Sequence, residues 1–189
     1  MSEEFHVHGP HDHEIEHAAH SREAFSSRIA VMTAILATIG ALFSYMVGAT
    51  QNEALLYKND SAIRRTEASD QWNFYQAKSS KQNLAELGAS LTSGEQSERF
   101  KTEAKRYAEE KNAIMVDAKK LEERSKESEA KSESAMHVHH RWAQAITLIQ
   151  IAIALAAITL LTRNNALKYG AYGVAVGSVV LGGLALMHI

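Results

Sequence analysis

Hydrophobic positions gather into three unbroken blocks, residues 29–49, 142–162 and 169–189, each 21 residues long and each free of Asp, Glu, Lys and Arg. None alternates apolar with polar residues as a half-buried strand would, so each reads as a helix. A helix of that length is about 31 Å long at ~1.5 Å per residue, close to the hydrocarbon thickness of a bilayer. Lipid offers backbone amides no partner, and a helix satisfies its own. The competing reading, three buried helices of a soluble core, leaves a single charged segment to cover all three blocks. The pattern therefore predicts three transmembrane helices. The first block begins only at residue 29, behind an acidic tail, and is longer than a signal-peptide core, so it is expected to be a retained anchor.

Between the first two blocks the pattern changes. Residues 50–141 hold 16 basic and 16 acidic side chains, no Pro, and only Gly88 and Gly94 as glycines. In the second half, Phe100, Ala104, Tyr107, Lys111, Ile114, Ala118, Leu121, Ser125, Ser128, Ser132, Ala135, His139 and Trp142 recur at alternating spacings of four and three. That 3.5-residue period belongs to a helix packed along a partner helix. Gly88 and the run Ser93-Gly94-Glu95-Gln96 mark a turn, with Ser93 and Gln96 at capping-box spacing. The expected fold is an all-α membrane protein: three transmembrane helices, with a long antiparallel helical hairpin (a coiled-coil stalk) between the first and second. The hairpin occupies 50–141, with its tip near 88–94. Counted from the tip, the arms 50–88 and 95–141 are 39 and 47 residues. A kink or unwound patch is expected to absorb the difference, in the Ser-rich stretch 125–134.

Small residues suggest where the membrane helices meet, since apolar helices associate in lipid through close contact rather than burial. Gly40, Ser44 and Gly48 form one such stripe, Gly173 and Gly177 another, and Ala152 and Ala156 a third. Gln150, in the middle of the second block, is placed to hydrogen-bond across helices. A hairpin this poor in large apolar residues buries little by itself, which predicts a homo-oligomer.

Charge and composition narrow the function. Lys and Arg number 20 against 22 Asp and Glu, a net charge of −2, so no basic field points to nucleic acid. The absence of Cys excludes disulfides and thiolate chemistry. The mean hydropathy of −0.24 averages the apolar blocks against the charged segment. No Asp, Glu, Lys or Arg falls inside the three blocks, which argues against a proton relay or ion-coupling site, and no polar stripe lines a pore, so an oligomeric channel is the weakest reading. No phosphate loop, nucleophile motif or H-E-x-x-H is present, and no enzyme is expected.

One segment carries a resemblance. Trp72, Tyr75, Gln76, Ala77, Lys78 and Ser79 form W-x-x-Y-Q-A-K-S, preceded by Asn52-Glu53-Ala54 and followed by Gln150-Ile151-Ala152-Ile153-Ala154-Leu155. With these the chain resembles a bacterial membrane family catalogued as domain of unknown function 4337, over most of its length. The resemblance implies architecture and no activity. On physical grounds Trp72 and Tyr75 read as hairpin or subunit packing. Arg163 and Lys168, in the short basic loop 163–168, hold no acid between them, which places that loop and the N-terminus in the cytoplasm and the hairpin in the periplasm of a bacterial inner membrane.

Ten histidines remain. In the acidic tail 1–28, His13, His17 and His20 share a helical face with Glu16, a donor set suited to Zn²⁺, Ni²⁺ or Cu²⁺, and His6, His8 and His11 lie just upstream. His137, His139 and His140 precede Arg141 and Trp142, residue types that favour a membrane boundary, so this group reads as an anchor or as a pH-responsive collar. The function expected first is a non-enzymatic scaffold or interaction module, with an unidentified protein partner and the lipid bilayer as surroundings. A metal- or pH-sensing membrane protein is the alternative.

Overall fold

In the computed structural model, which describes the backbone of residues 12–187 and the side chains of 23–187, the chain forms three helices: α1 (Asp12–Leu91), α2 (Glu95–Thr162) and α3 (Asn165–Leu186). The only Pro is Pro10, and between 50 and 141 the helix breaks only at 92–94, so α1 and α2 run for 80 and 68 residues. Each of the three is long and apolar enough over part of its length to cross a membrane. The chain divides into two units, Thr50–His137 and Met1–Ala49 with Val138–Ile189.

In the unit Thr50–His137, α1 and α2 lie antiparallel. Contacts at 54 with 132, 58 with 129, 61 with 125 and 78 with 110 advance on one helix as they retreat on the other. The helices approach closely because the facing residues are small. Ala118 is fully buried on α2, Ala54 and Ala68 nearly so on α1. Ser125, Ser128 and Ser132 are buried as well. Each of the 4-3 positions of this unit from Phe100 to Ala135 is buried or half-buried. A companion row on α1 does the same: Thr50, Ala54, Tyr57, Ser61, Arg64 and Ala68, continuing to Ala85 and Ala89.

Two expectations need correction here. The stretch 125–134 is helical throughout, with no unwound patch. The turn lies at 92–94, inside the expected tip of 88–94, and within this unit α1 runs to Leu91 and α2 to His137. Moving both ends removes the mismatch, and the serines that seemed weak points are hydrogen-bonded to α1. The capping box is also displaced. Gly94 precedes the first residue of α2, adopts φ +65°, where a Cβ is disfavoured, and its carbonyl accepts from Glu98 N at 3.3 Å. Glu95 and Glu98 then place negative charge in the first turn, complementing the helix dipole. Ser97 Oγ donates to the carbonyl of Ala89 at 2.9 Å and ties the two helices at the turn.

The unit Met1–Ala49 with Val138–Ile189 joins parts of α1 and α2 to α3. Leu36, Ile149, Ala152 and Ala175 form one cluster with Met32, Ile39 and Phe43 against it; Val138, Trp142 and Ala185 form another with Met46 and Val47. Inside are mainly small residues: Ala145, Ala152, Ala156, Ala171, Thr159 and Ser178 are all fully buried. Large apolar side chains point outward, among them Leu42, Tyr45, Ile158, Leu161, Val176 and Val180. Between α2 and α3, Arg163 takes φ 55° and its N–H reaches Thr159 O at 2.8 Å, while Asn164 Oδ1 accepts from Ala166 N at 2.9 Å and caps α3.

Candidate functional site

The hairpin's small-residue seam carries a polar lattice. Asp60 accepts from Arg64 Nε at 2.9 Å, one turn along α1, and from Ser128 Oγ at 2.6 Å across on α2. Ser125 Oγ donates to Ser61 O at 2.9 Å, which leaves Ser61 Oγ to donate to Ser125 Oγ at 3.1 Å. Ser132 Oγ donates to Ala54 O at 2.9 Å. Each hydroxyl thus reaches the opposite helix, which only short side chains on closely spaced helices allow. Flanking pairs Lys58–Glu129 and Lys78–Glu110 close the edges, the latter at 2.5 Å.

The aromatic group lies one to two turns further along. Trp72 Nε1 donates to Glu122 Oε1 at 2.8 Å, and the Trp72 and Tyr75 rings meet edge to face at 5.5 Å. Lys111 of α2 stands over the Tyr75 ring at 5.6 Å, and Lys78 of α1 over Tyr107 of α2 at 5.6 Å. The two helices therefore exchange cations across each other's tyrosines. Beside Trp72 runs an open groove lined by Arg65, Ser69, Asn73, Gln76, Glu122 and Lys126. Trp72 and Tyr75 are held by α2 of the same chain, and Phe74 beside them is exposed.

Four carboxylates of this unit, Asp60, Glu110, Glu127 and Glu129, are held below their usual range. For Asp60 the first cause is the hydrogen bond from Arg64, then that from Ser128; for Glu110, Glu129 and Glu127 it is the bond from Lys78, Lys58 and Lys131 respectively. A carboxylate whose folded-state pKa is depressed contributes stability above its unfolded value, and that contribution is lost as pH falls through the folded one. The thermal midpoint of the purified protein is therefore expected to stay flat from neutrality down to about pH 5 and to fall below about pH 4. A midpoint that fell mainly between pH 7 and pH 5 would place the control with histidine instead.

The other singled-out residues are dispersed. Gly40 packs beneath Ile149 of the same chain, where a Cβ would lie 2.9 Å from Cγ2, whereas Ser44 is exposed and Gly48 faces open space. Gly173 also faces open space, and Gly177 has only Leu148 at 3.9 Å. The tightest glycine is Gly182, where a Cβ would meet Phe43 Cζ at 2.5 Å. Gln150 is exposed. Trp142 is buried, its ring centroid 5.1 Å from that of Phe43, and Val138 and Ala185 close over it. His139 Nδ1 lies 3.1 Å from Val47 O, a geometry that makes Nδ1–H the donor, while His140 and His137 are exposed. Among the described residues no three His, Asp or Glu side chains are placed to hold a metal ion. The tail set, His6, His8, His11, His13, Glu16, His17 and His20, lies outside the residues whose side chains are described.

The family described as Domain of unknown function (DUF4337) matches the chain over residues 25–188. No curated protein and no solved structure matches it.

Proposed function

The chain belongs to the DUF4337 family, and we propose that it is a non-enzymatic, multi-pass membrane protein whose charged helix pair acts as a homo-oligomeric coiled-coil scaffold or interaction module. One observation carries the membrane part. In the unit that holds the three charge-free blocks, the interior is mostly Ala, Ser and Thr, with Ile29, Leu36, Ile149 and Trp142 among them, while most of the large Leu, Ile, Val and Tyr side chains lie outside. A soluble domain buries its largest apolar side chains. In lipid the preference between inside and outside vanishes, and helices associate through their small residues. The scaffold part is supported by the hairpin itself, whose seam consists of hydroxyl–carbonyl ties and caged tyrosines, interactions that hold two helices in one register.

In this reading the membrane is a bacterial inner membrane, with the N-terminus cytoplasmic and the helix pair periplasmic. Reporters test it. One fused after Ile189 and one inserted near Gly94 are expected to report the same side, opposite to one at Met1. Opposite signals from the first two positions sink the three-span arrangement, and cytoplasmic signals from both reverse the orientation. Light scattering on the detergent-solubilised protein is expected to give a mass several times 20.8 kDa after subtraction of detergent; a monomer removes the scaffold.

A further inference from the structure

The two helices of the unit Thr50–His137 differ on their outward sides. On α2 the outer side is crowded with Glu, Lys and Arg, and Val116 is its one large exposed apolar residue. On α1 the apolar residues are outside: Leu56 is 70% exposed, Ile63 59%, Leu84 68% and Leu91 76%. These recur at sevens. Leu56, Ile63, Asp70, Ala77, Leu84 and Leu91 form one row, and the adjoining rows begin at Leu55 and Asn59 and step by the same seven. Every position of the three rows is exposed, and Asp70 is their only charged side chain, in a segment with 32 charges between 50 and 141. A second 3.5-period face, beyond the one already used against α2, calls for a second partner helix.

We propose that this face of α1 pairs in parallel and in register with the same face of a second copy of the chain. The pairing rests on the membrane reading above, since copies inserted the same way in one bilayer present α1 to one another in parallel. The charge pattern selects a second copy. In-register self-pairing sets each residue against its own image, so any charge on the face repels itself, and a face built for that use must be nearly neutral. A different protein would be free to answer charges with opposite ones. The intervening row suits self-pairing too: Asn59, Thr66, Asn73 and Ser80 each carry a donor and an acceptor, so each can bond to its twin. Asp70 is the exception, a single polar residue in an apolar row, and such residues fix register and subunit number while weakening the assembly.

The chain has no Cys, so single cysteines report contacts directly. In the full-length detergent-solubilised protein under a mild oxidant, Ile63→Cys and Leu84→Cys are each expected to give a disulfide-linked dimer, because twin positions of a parallel pair fall within disulfide reach. Asp117→Cys, on the outer side of α2, is expected to remain monomeric on the gel. In a mixture of differently tagged Ile63→Cys and Leu84→Cys chains, no 63–84 product is expected. A product found only between 63 and 84 means an antiparallel pairing and overturns the proposal, as does a disulfide adduct with another protein. An oligomer in which neither position cross-links overturns this face while leaving the scaffold reading intact; a monomer overturns both. As a second measure, Asp70→Asn is expected to lower the concentration for dissociation several-fold, and Leu84→Asp to raise it. If neither substitution moves dissociation, the face is not the contact.

Discussion

Replacing Trp142 with Ala is expected to destabilise the unit around it by about 3–5 kcal/mol, the range for large aromatic truncations in a packed core. The indole is 2% exposed, meets Phe43 at a tilt of 60°, and holds Val138 and Ala185 together. It is the largest buried side chain of that unit, set in an interior made mostly of small residues, so the alanines around it cannot fill the space it leaves. Trp142→Phe is expected to cost much less, about 1 kcal/mol. Among the described residues the buried Nε1–H has no hydrogen-bond partner, and losing an unsatisfied buried donor offsets part of the lost contact. The protein has two tryptophans, so either substitution leaves Trp72 as the sole indole and its fluorescence follows unfolding in denaturant. If Phe cost as much as Ala, the N–H would have to be bonded and the cluster would be held together differently.

Ser125→Leu is expected to cost about 3 kcal/mol, mostly through separation of the helices. Ser125 is 5% exposed and lies opposite Ser61, to which it makes two hydrogen bonds at 2.9 and 3.1 Å. A Leu at that point must push α1 away, and the bonds at Ser128 and Ser132, about one and two turns further along α2, lengthen with it. Ser125→Ala separates the steric effect from the hydrogen bond. It keeps the close approach, loses only the bonds, and is expected to cost about 1 kcal/mol. Chemical denaturation followed by circular dichroism measures both. Equal losses from Ala and Leu would show that the helices have room at this level and that spacing is not set by residue size.

Much of this was legible from the spacing of residues. The first two charge-free blocks fall within α1 and α2 and residues 169–186 of the third within α3, and the 4-3 row from Phe100 to Trp142 is buried or half-buried at every step. The companion row on α1 was hidden because its members include Thr50, Arg64, Gln71, Lys78 and Gln82, polar residues whose half-burial depends on partners across the seam. Periodicity in hydrophobicity alone does not detect them. The lattice around Asp60 had a local sign, Asp60 and Arg64 one turn apart, but that spacing is common on solvated helices. Ser128, which completes it, is 68 residues away in sequence. The burial of Trp142 was hidden for a related reason: its closing contacts come from Phe43 and Ala185, far along the chain in either direction.

The one-for-one register of α1 against α2 in the unit Thr50–His137 bears on how such a chain can change over generations. Inserting a single residue into one helix would rotate everything beyond it by about 100° and turn buried serines outward. Inserting seven into one helix alone would restore the facing side but leave each pairing partner displaced by two turns. Only matched heptads, added to or removed from both helices at the same level, preserve the hydroxyl ties and the caged tyrosines together. The length of this helix pair is therefore a quantity that evolves in coupled steps, and related chains should differ in it by paired multiples of seven.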